Sequence, residues 1–223
     1  MWKLYRQVLE LRYKNGYIYW DRTGEITMRL LAFCPSLSVL QADPGQVVMK
    51  SSFEGLHVRF SYEIASVIHD AADHPTVDFA DRATGIFDAI AKLAEIRSLE
   101  RIGHRLNYHT YLPKLDDAKK EIDRLRKSLR IGGAFLNDWN DPLINRKILS
   151  EFAVRLEEAN TGIRMEVNTG EIEATASGAA KAFVNVDADL YTRTPVTIDS
   201  LIVDELVTQN RKWVEENLLT RLK

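Results

Sequence analysis

Residues 79–111 carry two hydrophobic periods end to end. Phe79, Ala83, Ile86, Phe87, Ile90, Leu93 and Ala94 recur at steps of three and four, which lines one face of a helix. From Arg101 the pattern becomes an alternation. Ile102, His104, Leu106 and Tyr108 fall on one side of a strand; Arg101, Gly103, Arg105, Asn107 and His109 fall on the other. The stretch predicts a long helix, packed on a sheet, that runs straight into a strand of that sheet. His104 sits on the apolar side, so it is expected to be a core histidine with its hydrogen bonds satisfied.

The flanking sequence supplies more of both elements. Residues 4–13 and 17–20 read as the strands of a hairpin about Lys14-Asn15-Gly16. Residues 25–33 fit either a strand or a short helix, ended by Pro35. Residues 37–41, 46–53 and 56–62 read as an antiparallel meander, and residues 69–78 as a polar connection leading to an N-cap at Asp78. A second helix is expected over residues 115–130, closed by Gly132-Gly133. An irregular stretch over 135–149, strands over 152–157, 163–174 and 182–190, and a small-residue segment over 175–180 follow. A helix from about 197 to about 222 ends the chain.

Runs of strands with segregated helices predict the α+β class. The expected form is a mostly antiparallel sheet with long helices packed on one face, in two similar strands-then-helix halves, residues 1–112 and 113–223. No Pro/Gly/Ser-rich linker divides them, so a single domain over 1–223 is expected.

Composition narrows the function classes. The formal net charge is −2 over 223 residues, so no overall field draws the chain to nucleic acid or an anionic membrane. The one cysteine, Cys34, excludes a disulfide framework and fits a reducing compartment. There is no apolar run of about 18 residues and no signal-peptide pattern at the start, so a cytoplasmic protein without a membrane partner is expected.

Three groups of residues carry chemistry. Asn185, Asp187 and Asp189 alternate on one strand side, and such oxygen ligands suit Mg²⁺ and a phosphate. Arg101, Arg105, Asn107 and His109 are their cationic and polar counterpart. Lys120, Arg124 and Lys127 extend the basic character onto the second helix, as a ligand or nucleic-acid contact would require. The structural alternative is that Arg105 and Asp187 pair across strands. His69-Asp70 and Asp73-His74 form a further polar cluster, which reads as a loop. Glycine-rich phosphate loops and Gly-x-Ser-x-Gly or His-Glu-x-x-His motifs are absent from the sequence, and no cofactor is expected.

The order of these motifs resembles that of a sporadically distributed family of uncharacterised prokaryotic proteins. The resemblance rests on Arg101-Ile-Gly103-His-Arg105 with Asn107 and Tyr108 nearby, on Asp187-Ala-Asp189, and on a closing helix that carries Trp213. In the family the Asn follows the aromatic more directly, and here the order departs. The resemblance implies that residues 25–33 are a helix before a proline. It also implies an association with mobile or defence genes, and it brings no established activity.

The leading expectation is a non-catalytic soluble module that acts through protein–protein contacts, self-association included. The closing helix motivates it, because Ile202, Leu206 and Trp213 make one apolar stripe and Val203, Val207, Val214 and Leu218 a second. The second stripe needs a cover, either from the helix over 115–129 or from a two-fold partner centred near Trp213. The alternatives are a nucleic-acid-binding component of a defence or mobile-element system, and a metal-dependent enzyme acting on a phosphate-containing substrate.

Overall fold

The computed structural model describes residues 1–14, 16–128, 152–157, 160–172, 181–220 and 222. The glycine pair at 132–133, the stretch over 135–149 and the segment over 175–180 lie outside the described residues.

The fold is α+β with an antiparallel sheet. In chain order the strands are β1 (Lys3–Tyr13), β2 (Ser38–Ala42), β3 (Val47–Ser51), β4 (Leu56–Phe60), β5 (Ile64–His69), β6 (Ser98–Leu112), β7 (Phe152–Glu157), β8 (Thr161–Ile172), β9 (Lys181–Thr192) and β10 (Val196–Thr197). The helices are α1 (Gly16–Phe33), α2 (Phe79–Leu93), α3 (Leu115–Ser128) and α4 (Val203–Trp213), which passes into a π-helical turn over Val214–Leu218. The sheet order is β2-β3-β4-β5-β1-β6-β9-β8-β7, with the two-residue β10 pairing the start of β6. β1 therefore lies in the interior of the sheet, between β5 and β6.

The period of α2 decides what it buries. Phe79, Ala83, Ile86, Phe87 and Ile90 are buried, and the Asp78 side chain caps the helix by accepting from the Asp81 N–H at 3.2 Å. At its other end Glu95 takes a left-handed φ of 51°, and the Ile96 N–H returns to the Ala91 carbonyl at 2.9 Å. That is the Schellman closure, with buried Ile96 as its apolar contact.

Two clusters make up the core. The first joins α1, α2 and the start of α4 to Leu9, Leu11, Val58, Val67, Leu99 and Ile102. The second joins α3 and the end of the C-terminal helix to Leu106, Tyr108, Val167, Val184 and Val186.

Three expectations are corrected and one open alternative is decided. Residues 17–20 belong to α1 and not to a hairpin, because β1 already has β5 and β6 on its two sides and Tyr19, Ile26 and Leu30 form a buried helical stripe. Residues 25–33, which fitted either a strand or a helix, belong to the same helix. β5 is a full strand where the sequence suggested none. Its Ala65, Ser66 and Val67 are buried in succession, so it shows little alternation. The closing helix starts at Val203, because Val196 and Thr197 still pair with Leu99 and Ser98.

Candidate functional site

The polar side of the sheet is a grid of cross-strand ion pairs. Arg105 stands opposite Asp189 in register but reaches diagonally to Asp187, donating from Nε to both carboxylate oxygens at 2.7 and 2.8 Å and also from Nη2. Arg101 donates to Asp189 at 3.1 Å and lies 4.5 Å from the centre of the Tyr191 ring. Gly103 stands between Arg101 and Arg105, and a Cβ there would lie 3.5 Å from an Asp189 oxygen. Burial raises the Asp189 pKa, and Arg101 and Arg105 oppose that shift. Arg6 pairs with Asp70 just past the end of β5, and Arg12 with Glu10 and Arg164 with Glu166 pair along their own strands.

An aromatic ladder closes one end of the grid. His109 is stacked between Tyr5 at 4.1 Å and Phe183 at 4.4 Å. Asn185 stands opposite it on β9. Burial pushes His109 down to about 4, partly offset by the Asn185 amide.

Arg101, Arg105, Asn107, His109, Asn185, Asp187 and Asp189 thus share one sheet face. Lys120 and Arg124 do not join them, since α3 packs its Ala118, Ile122 and Leu125 on the apolar strand residues. Lys120 is exposed, and Arg124 donates to Glu121 and to the Leu222 carbonyl. The Lys127 side chain lies outside the described ones. Among the described residues no group of three or more His, Cys, Asp or Glu side chains comes together to hold a metal ion. Asp187 and Asp189 are expected to act structurally. Millimolar Mg²⁺ or Mn²⁺ should then leave the melting temperature unchanged, whereas a saturable rise lost in Asp187→Asn would assign an ion to this face.

The closing helix divides its two stripes. Val203, Val207 and Val214 are buried within the chain's own core, and Leu218 packs beside them. Ile202 is 57% exposed and Trp213 38%. With Leu206, Trp213 borders an apolar cleft of about 410 Å³, whose floor is Ile102, Ile163 and Leu190.

The grouping that sequence reasoning missed lies where the two core clusters meet. β1 contributes Leu9 to the first cluster and Leu4 to the second, with Gln7 between them. β6 passes from Ile102 to Leu106 through His104, and the closing helix passes from Val207 to Val214 through Arg211. Each element therefore carries a polar residue at the crossing.

That seam has its own geometry. His69 bonds through Nε2 to the His74 carbonyl and through Nδ1 to the Gln7 amide nitrogen, both at 3.1 Å. Phe79 stacks between His69 and His104 at 5.8 and 6.2 Å. The Tyr108 hydroxyl and Arg211 Nε both donate to Glu215 Oε1, at 3.0 and 2.9 Å. Glu215 sits in the π-helical turn, a distortion that recurs at functional sites. Burial and then the Glu215 carboxylate push the Tyr108 phenol up.

His104 corrects a further expectation. It is fully buried on the apolar side, but neither ring nitrogen has a hydrogen-bond partner among the described residues. Burial, with Arg211 nearby, pushes it down to about 3, so the ring is neutral. The alternation placed it on the apolar side; that its ring nitrogens lack partners shows only in the fold.

No model of a known protein family matches the chain, and no curated protein matches it. No helix of the described residues is long and apolar enough to cross a membrane.

Proposed function

We propose that the chain is a non-catalytic interaction module that acts through protein–protein contacts and self-associates through its closing helix. The observation that carries this reading is the outer stripe of α4. Its inner stripe is covered by the chain, yet Ile202 remains exposed, and so does Trp213 at the border of the apolar cleft. A two-fold arrangement sets two such faces together, so that each copy offers a tryptophan and a cleft to the other. Tryptophan is the residue most often found as the anchor of an interface. The same reading takes the helices as one layer over one sheet face, in two strands-then-helix halves; the shared side of Ile102, Leu106 and Tyr108 supports the layer.

Light scattering at tens of micromolar tests the proposal. A dimer mass is expected, and Trp213→Ala should weaken the dimer by about thirtyfold, the equivalent of a hot spot of roughly 2 kcal/mol. A monomer mass for the unmodified chain would sink the reading. The nucleic-acid alternative has less support, because Arg101 and Arg105 are already committed to Asp189 and Asp187. Salt-dependent binding to DNA or RNA would revive it. The phosphate-directed enzyme rests on the ion test given for Asp187.

A further inference from the structure

We propose that the cavity between the start of α2 and α4 binds a small zwitterion, an α-amino acid or a molecule with the same pairing of carboxylate and ammonium. The cavity measures about 490 Å³ and reaches Gln7 on β1. That size suits a small molecule.

Gln7 supplies the first half of the argument. The His74 carbonyl can only accept, so His69 Nε2 carries the proton and His69 Nδ1 is the acceptor. The Gln7 amide nitrogen therefore donates to Nδ1, which fixes the amide and leaves Oε1 as its other end. Gln7 is only 3% exposed, lines the cavity, and its Oε1 has no partner among the described residues. A buried amide oxygen in that position calls for an N–H or O–H donor.

The walls supply the second half. The first turn of the 15-residue α2 borders the cavity through Asp78, Phe79 and Ala80. A helix start presents backbone N–H groups that have no partner inside the helix, together with the positive end of the dipole; the Asp78 side chain takes the Asp81 N–H, which leaves those of Phe79 and Ala80. Arg211 lines the cavity as well, and its guanidinium has more N–H groups than Glu215 and Tyr108 take. These donors call for an anion.

The charges bordering the cavity do not favour either half alone. Arg211 is paired with Glu215, and Lys212, Asp78 and Glu216 also line the cavity. A simple anion meets the three carboxylates, and a simple cation meets the helix start, Arg211 and Lys212. A zwitterion answers both: its carboxylate goes to the helix start and Arg211, its ammonium to Gln7 Oε1 and a carboxylate. Phe79, Val77 and Val207 leave apolar wall for a side chain.

The test is thermal melting of the full chain with each standard α-amino acid at about 10 mM, a concentration that registers even weak binding. Propionate and propylamine at the same concentration serve as controls. A saturable rise with at least one amino acid and with neither control is expected. Gln7→Leu and Arg211→Gln, each first shown to melt cooperatively without ligand, should each weaken binding by at least about tenfold. The proposal is overturned if no amino acid shifts the melt, if propionate or propylamine alone suffices, or if the shift survives in Arg211→Gln. Because Arg211 is half exposed, that variant keeps the test decisive even where Gln7→Leu does not fold.

Discussion

Replacing Phe87 with alanine is expected to lower the unfolding free energy by about 3–5 kcal/mol, through lost burial and the cavity left behind. Phe87 is 1% exposed and lies in the first core cluster with Ile86 and Ile90. Urea denaturation measures it, with the midpoint shifting and the slope unchanged. Asp88, one residue on and exposed, is the control, and Asp88→Ala should change stability by no more than about 0.5 kcal/mol. A loss below about 1 kcal/mol at Phe87 would mean that α2 does not carry the core.

The second large effect is on pH dependence. His104 has an ordinary value of 6.5 when unfolded and about 3 when folded. Below 6.5 the unfolded chain therefore takes up the proton and the folded chain does not. The stability this contributes is present in full at neutral pH. It falls as the pH drops from 6.5 towards 3, and the loss levels off below that. Between about pH 6.5 and about pH 4.5 the loss from this group is roughly 2–3 kcal/mol, at about 1.4 kcal/mol per unit. His109, pushed down to about 4, and His69, also lowered by burial, act in the same direction. Denaturation curves at the two pH values, compared with those of His104→Leu, isolate the residue. The variant should lose that much less stability on acidification. Equal losses would show that the buried ring accepts a proton readily.

The α2–β6 stretch was legible because both of its periods are strong and each element buries one side. The N-cap at Asp78 was legible for a local reason: a cap is read within three residues of itself. β5 was not, since a strand flanked by β4 and β1 need not alternate. The misreading of residues 17–20 came from treating Lys14-Asn15-Gly16 as a hairpin turn, when the partners of β1 lie much further along the chain. The ion-pair grid was half legible. Alternation put Arg105 and Asp187 on exposed strand sides, but only the β6–β9 register brings them together. Of the seam, the place of His104 on the apolar side was legible, and its meeting with Gln7 and Arg211 was not, because each element contributes a single polar residue and the three meet only in the folded sheet.

The interior position of β1 governs how the sheet can be built during synthesis. The β2–β3, β3–β4 and β4–β5 joints are hairpins that form as soon as they are made. The three joints inside the sheet are not local: Gln7 waits for His69, 62 residues on, Leu9 for His104, and Arg105 for Asp187, 82 residues on. Such long closures slow folding. Until β5 and β6 arrive, the eleven residues of β1 have two bare edges and carry Leu9 and Leu11 uncovered. A nascent or refolding chain is then most exposed to intermolecular strand pairing at its first strand.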